Sequence, residues 1–527
     1  MTVQFDQIIY GNFITMDLQQ PRAEAVGIKD GRIARVGFRS DFEQSEKSGI
    51  HYLDLSGNTI LPGFFDTHVH ANLTGGALQA VNLTKVNSIG ETLALVKTRV
   101  DKTQAGKVIS CFGFDRINVQ EKRLPTIQEL DQISRDHVIV IYYFDLHGAI
   151  LNSRAFQMFN FSQENDGVEF GTDNQPTGFI GDPSFDIVQK EFGEGSDLQT
   201  GLNNIIMAAK EGIRNGLTTL HIKEPPELIK FVQEHRDLIP VRFLPMVRLT
   251  DISIETIDSV INSGVLSQGG FLAVLADGAL DCHSAALFEP YSNKDDALGM
   301  LFFNNQELEN FIKYAHQKGL RVSIHADGDR STEQVVAAFE TALEHEDITP
   351  YRHRIEHLEL MNLNQMHRTA AMGLTLAMQP MFLANENGDG NLESYEILLG
   401  KKRCRLVNAL RSILDTGNLI SGGSDGPITP LSPMAGIHIC VNHPNQDQAT
   451  DLYEAISIFT LNAAKASFES DTKGSIEVGK LADFTVLSRD PFLTPKVELK
   501  NILQFLMDIT QYKYSLIKYI IKAKLMK

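Results

Sequence analysis

The sequence predicts an α/β protein built around a (β/α)8 barrel, with a long insertion after the first strand and a small β-domain made from the two chain ends. Three observations carry this prediction. A module of amphipathic helix, glycine and short apolar strand recurs along the middle of the chain; eight candidate strands fall between residues 60 and 425; and both ends are rich in short strands and turns. Strands that alternate with helices imply parallel pairing through right-handed crossovers, and eight such units close into a barrel. The length of 527 residues, 43% hydrophobic and 22% charged, suits one barrel-sized unit with a smaller companion.

Taken in order, residues 7–12 and 25–33 read as short strands, and Asp30-Gly31 is a hairpin signal between apolar runs. A second strand-rich piece spans 474–487, and the two ends together (1–60 plus 466–500) form the expected β-domain. The barrel occupies 61–465, with strands expected at 60–70, 217–224, 241–248, 271–277, 320–326, 354–359, 374–379 and 419–425. In one copy of the module Leu308, Phe311, Ile312 and Ala315 share a helical face, Gly319 follows, and a strand begins at Leu320; other copies stop at Gly216, Gly373 and Gly417. Glycine after the last helical turn releases the chain in the left-handed conformation. The gap between the first two strands is too long for one connection, so residues 72 to about 200 are an insertion with structure of its own. There Ser88-Ile89-Gly90-Glu91 predicts a capping box, opening a helix with Ile89, Leu93, Val96 and Val100 on one face. Residues 501–527 form a tail whose basic amphipathic stretch, 512–522, is expected to pack on its own protein or to fray.

Composition narrows the function. A formal charge of −18 without a Lys/Arg cluster argues against nucleic acid as a partner. Cys111, Cys282, Cys404 and Cys440 are widely spaced and make no Cys-x-x-Cys, so neither a zinc knuckle nor a disulfide framework is indicated. The first residues lack a basic region followed by an apolar run, and no apolar stretch is long enough to span a bilayer. The expectation is a cytoplasmic protein with a small-molecule substrate and no integral membrane segment; homo-oligomerisation stays open.

The most informative segment is Gly63-Phe64-Phe65-Asp66-Thr67-His68-Val69-His70. Alternate side chains on a strand share a face, so Asp66, His68 and His70 point together. Two imidazoles at that spacing can grip one divalent metal, and imidazole suits zinc, iron, nickel or copper better than magnesium or calcium. Barrel active sites lie at the carboxyl ends of the strands. Reading those ends adds His325 from the fifth strand, His357 from the sixth and Asp425 from the eighth. Four histidines and a carboxylate thus converge on one mouth.

These residues, with Asp145-Leu146-His147-Gly148, Ala276-Asp277-Gly278, Ile324-His325-Ala326-Asp327-Gly328-Asp329-Arg330, Met378-Gln379-Pro380 and Gly423-Ser424-Asp425-Gly426-Pro427, resemble the amidohydrolase superfamily, and within it the YtcJ-like branch (amidohydrolase family 3). The resemblance covers nearly the whole chain. It implies that the two ends form a β-sandwich beside the barrel, that His68 and His70 bind one metal, most simply Zn2+, and that His325 binds a metal. It further implies that His357 binds a second metal or contacts the hydrolytic water, and that Asp425 ligates weakly and shuttles the proton as the catalytic acid and base. Many relatives carry a strand-four lysine whose carboxylated form bridges two metals; here Ala273 stands at that position. Either the site holds a single metal, or Lys223 or Glu224, at the end of the second strand, takes over the bridge. A usual strand that returns to the sandwich soon after Asp490-Pro491 is not evident. Insertions in such proteins tend to cover the mouth, which makes His147 and Asp115 candidates for the substrate pocket, alongside Arg116. His221 and His283 are further candidates for its wall. Asp327 and Asp329 could support His325 or cap the following helix.

The expected function is hydrolysis of a non-peptide carbon–nitrogen bond in a small amide: an N-substituted formamide, a cyclic amide or an acyl-amino compound. The alternatives are a heterocycle deaminase with a mononuclear site, a non-haem iron oxygenase, and a degenerate non-catalytic relative.

Overall fold

In the computed structural model, residues 4–42, 50–144, 146–193, 197–344, 346–385, 387–502 and 504–508 are described. Asp145 and the amphipathic stretch 512–522 lie outside them.

Eight parallel strands follow one another in sheet order: Phe64–Val69, Leu217–Glu224, Arg242–Arg248, Phe271–Leu275, Val322–Ala326, Arg354–His357, Thr375–Met378 and Leu419–Gly422. The first meets the last through a parallel bridge between Val69 and Gly426, which nearly closes the barrel. Most of these strands are buried along their whole length, as parallel strands covered by helices must be. The expected first strand divides at Gly63. Residues up to Pro62 belong to a long strand of another sheet, His51–Pro62. A side chain at Gly63 would lie 2.3 Å from Thr218, so only glycine lets the chain pass between the two sheets here.

The repeated module is present as read. Helix Asn305–Gln317 buries Leu308, Phe311, Ile312 and Ala315, and Asn304 with Glu307 closes a capping box at its start. Gly216, Gly319, Gly373 and Gly417 all take positive φ, between 64° and 87°.

The insertion departs after helix Ala71–Gln79 and rejoins the barrel at helix Leu198–Arg214. These two helices pack so closely that a Cβ on Gly75 would fall 2.0 Å from the Asn204 carbonyl oxygen. Between them lies a separate six-stranded sheet, in the order Val168–Phe170, Pro176–Gly181, Gly148–Leu151, Val138–Tyr143, Val108–Phe114 and Val81–Asn82, with its own hydrophobic core. Helix Ile89–Val100 presents Ile89, Val96 and Val100 to that core, with Leu93 partly buried. Its capping box is half formed. Ser88 accepts from the Glu91 amide, but the Glu91 carboxylate turns to the Asn87 amide instead.

The two ends join in a third, six-stranded sheet, in which Asp483–Leu487 pairs with His51–Pro62 on one side and Gln504–Asp508 on the other. That last strand corrects the sequence reading: a strand does return to the sheet after Asp490-Pro491, beyond the expected limit at residue 500. Alternation divides the sheet's buried side chains, with Ile9, Phe13, Val26 and Phe484 in one cluster and Ile8, Tyr10 and Ala25 in another. Arg242 of the third barrel strand grips Asp483 with two bonds of 2.7 and 3.1 Å, tying this sheet to the barrel. Among the described residues no helix is long and apolar enough to cross a membrane.

Candidate metal centre and active-site cavity

The strand ends bring His68, His70, His325, His357 and Asp425 together. His68 Nε2 lies 3.3 Å and His70 Nε2 3.4 Å from Asp425 Oδ1. The His357 ring centroid is 4.7 Å from that of His68 and 4.5 Å from that of His325. Two triads each have donor atoms within 4.8 Å of one another, His68 with His357 and Asp425, and His325 with His357 and Asp327. Strand parity alone would send His357 away from Arg354 and Glu356. A φ of +68° at His357 breaks the alternation and turns its ring into the mouth, and Asp425 is likewise held at +54°. Non-glycine residues at positive φ are costly and persist where the surroundings enforce them.

The site is tested for a metal by what its donors otherwise touch. His68 Nδ1 faces Glu356 Oε2 at 2.6 Å, and His357 Nδ1 faces Gln379 Oε1 at 2.8 Å. Each contact engages one ring nitrogen and leaves Nε2 for an ion, the arrangement found behind metal-ligating histidines. His68 Nε2 and Asp425 Oδ1 are buried without a hydrogen-bond partner among the described residues. Buried polar atoms are rarely left so, and a cation satisfies both. Burial holds His68, His325 and His357 well below the ordinary imidazole range and lowers His70 as well, so they stand neutral, as ligation requires. Burial pushes the Asp425 carboxyl up, but His68, His70 and Lys223 outweigh it and hold the group below its usual value. The residues fit a divalent metal.

The sequence reading missed the supports of this cluster. Arg354 donates to Glu356 Oε1 and, at 2.6 Å, to the Thr67 carbonyl, while Ser323 donates to the same Glu356 oxygen and leaves Oε2 to His68. Asp66 Oδ1 accepts from the His68 and Ser424 amides, joining the first and eighth strands, and burial raises its pKa to about 6. Asp277 accepts from the Ala286, Asp327 and Gly328 amides and from Ser331, which secures the loop after His325. The readable signal was the charge pair Arg354 and Glu356 at i and i+2 on a strand otherwise fit for burial.

Beside the cluster opens a cavity of about 280 Å3. Lys223, Arg248, Leu275, Met300 and Phe302 form part of its barrel side, and Leu146, His147, Asp182, Pro183 and Gln189 of the insertion complete it. His147 Nδ1 is 2.5 Å from Asp182 Oδ2. Burial lowers the Lys223 ammonium, against the attraction of Asp425 and Glu356.

Other candidates are placed elsewhere. Glu224 turns to the opposite side of its strand and accepts from the Asn72 amide at 2.7 Å, so its carboxylate serves a helix start and not the centre. His221 lies deeper in the barrel, 3.0 Å from Arg354 Nη1, and is absent from the cavity wall. Asp115 accepts from the Ile117 amide and from the Tyr143 hydroxyl, and Arg116 is exposed. His283 packs its ring edge against Tyr291. Asp329 accepts from the Phe288 amide, and the Arg330 amide in the first turn of its helix is met by the Ala286 carbonyl. Ala273 packs with Leu244, Met246 and Phe271, and its methyl side chain offers no donor.

A family profile described as "Amidohydrolase family" matches residues 52–519. The chain belongs to the amidohydrolase family. This amidohydrolase is 27% identical over 519 residues to the putative amidohydrolase YtcJ of Bacillus subtilis, covering 93% of this chain and 96% of that protein. It is 24% identical to the N-substituted formamide deformylase of Arthrobacter pascens, over 94% and 95% of the two chains. A crystal structure of an uncharacterized metal-dependent hydrolase from Pyrococcus horikoshii OT3 shares the fold, with a TM-score of 0.75 at 23% identity over 93% of this chain and 99% of that one. Family and fold support a hydrolase with a divalent metal.

Proposed function

We propose that this amidohydrolase cleaves a non-peptide carbon–nitrogen bond of a small amide, with an N-substituted formamide, a cyclic amide or an acyl-amino compound as substrate class. The observation that carries the reading is the convergence of His68, His70, His325, His357 and Asp425 on one side of a cavity, with His68 Nε2 and Asp425 Oδ1 lacking a hydrogen-bond partner among the described residues. Similarity to a formamide deformylase supports the substrate class. When bound, a divalent ion, with Zn2+ the best match to this nitrogen-rich donor set, supplies Lewis acidity and brings the pKa of water near neutrality.

The chain's own residues do the rest. His68 and His70 would hold the ion with Asp425, and Glu356 keeps His68 in the tautomer that leaves Nε2 free for it. Asp425, ionised because its pKa lies low, takes a proton from the attacking water and hands it to the departing nitrogen, which leaves poorly as an amide anion. His147 and Asp182 cover the cavity from the insertion and limit the access of bulk water, and Leu146, Met300 and Phe302 offer apolar contact to the substituent on the amide.

The test is a panel of N-substituted formamides, lactams and acyl-amino compounds, read by amine release, with protein stripped by chelator and then reloaded with Zn2+. Turnover should vanish on stripping and return on reloading. Asp425→Asn should lower kcat by about two to four orders of magnitude, the usual share of a positioned acid–base group. Ammonia release from heterocycles with no amide turnover would replace this reading by deamination, and metal-loaded protein inert to the whole panel would end it.

A further inference from the structure

The sequence left two arrangements for the metal centre, a single ion or a pair bridged by Lys223 or Glu224. We infer that Asp327 supplies the carboxylate of a second divalent-cation site with His325 and His357, beside the one at His68, His70 and Asp425; this rests on the metal-dependent reading above.

Asp327 was expected to brace His325 or to cap a helix, and it does neither. Its backbone amide is held by Asp277 Oδ1 at 3.0 Å, and its carbonyl by the Leu360 amide at 3.1 Å, so the residue is fixed in place by its main chain. Its side chain is 4% exposed, and Oδ1 has no hydrogen-bond partner among the described residues. Oδ2 lies 3.9 Å from His325 Nε2. At the start of the next helix the Arg330 amide is already met by the Ala286 carbonyl. Leaving a buried carboxylate oxygen unpaired is expensive unless it neutralises or meets a cation.

The neighbouring carboxylates are accounted for in a way that Asp327 is not. Asp277 accepts four hydrogen bonds, and Glu359 accepts from the Tyr395 hydroxyl. The unmet demand for positive charge therefore falls on Asp327. One ring nitrogen of His325, one of His357 and one oxygen of Asp327 lie within 4.8 Å of one another, a set of two imidazoles and a carboxylate suited to zinc, iron, nickel or cobalt.

His357 belongs to both triads, yet it can serve one ion only, because Nδ1 is engaged by Gln379. The donors then divide evenly. His68, His70 and Asp425 take one cation, and His325, His357 and Asp327 take the other. Each ion receives two imidazoles and one carboxylate, with no bridging lysine required. Such a division also fits Ala273, whose side chain offers no ligand where a bridging lysine was expected.

The experiment counts metal. Full-length protein is stripped, reloaded with Zn2+, desalted and analysed for zinc per chain; Co2+ titration followed by visible absorption gives a second readout independent of turnover. Wild type should hold two ions, Asp327→Asn one, and Lys223→Met two. The Co2+ titration of wild type should show two successive sites, and that of Asp327→Asn one. Should Asp327→Asn fold poorly, Asp327→His, which keeps a donor, should restore the second ion. A single ion in wild type, or two retained in Asp327→Asn, overturns the proposal while leaving metal-dependent hydrolysis intact. Wild type that binds no ion sinks both, and two ions without turnover of any amide sinks only the proposed reaction.

Discussion

At the scale of single residues, the centre is held by charged groups that never reach solvent. Glu356 links Arg354 to His68, so the ring that could hold a metal is oriented by a buried ion pair. Groups behind a ligating histidine typically contribute 10- to 100-fold in metal affinity. Glu356→Gln should therefore weaken Zn2+ binding by about that factor in competition with a chromophoric chelator. His221 offers a second test. Burial, then the charges of Arg354 and Lys473, depress its pKa well below 6.5. The folded protein keeps this ring neutral while the unfolded chain protonates it below 6.5, so its contribution to stability is full above that pH and is lost as pH falls. The melting temperature of metal-stripped protein should decline from about pH 7 to about pH 5, and His221→Asn should make the decline shallower.

At the scale of elements, the helix–glycine–strand module is what sets the strand ends in a ring. The glycines are not equivalent. At Gly319, φ is +72° and a Cβ would meet nothing within 4 Å, whereas at Gly216, φ is +76° and a Cβ would fall 2.5 Å from Thr485 Cγ2. Gly319→Ala should cost about 1 to 2 kcal/mol, the backbone penalty alone. Gly216→Ala should cost more, because it also pushes the terminal sheet from the barrel; urea denaturation of the two variants measures the difference. These glycines could be read directly, since few other residues end a helix in the left-handed region. The sixth strand could be read less well. Its sequence, Arg354-Ile355-Glu356-His357, shows which residues share a face, but the positive φ that brings His357 back to that face is imposed by neighbours distant in the chain.

At the scale of the whole molecule, the barrel and the insertion together line one cavity, and the terminal sheet braces the barrel from elsewhere. The insertion, with its own core, carries Leu146, His147 and Asp182 over the barrel mouth. The terminal sheet is locked to the base of the barrel by Arg242 and Asp483, the latter only 5% exposed. Arg242→Ala would strand that carboxylate in the interface and should destabilise the protein by on the order of 3 kcal/mol, with earlier proteolysis of the terminal sheet.

Period and spacing by themselves determined the eight strands, the helices between them and the insertion, because burial of one face writes itself into local sequence. The cluster of His68, His70, His325, His357 and Asp425 was legible because each lies at or just past the end of a strand, and strand ends of a parallel barrel share one side. Only the tertiary structure decided what stands behind and around them. That Glu356 orients His68, that Glu224 faces away, that Asp277 holds the loop after His325, and that Asp327 Oδ1 has no hydrogen-bond partner among the described residues all depend on contacts between residues far apart in the chain. Those contacts are set by packing in three dimensions, which leaves no period in the sequence to read.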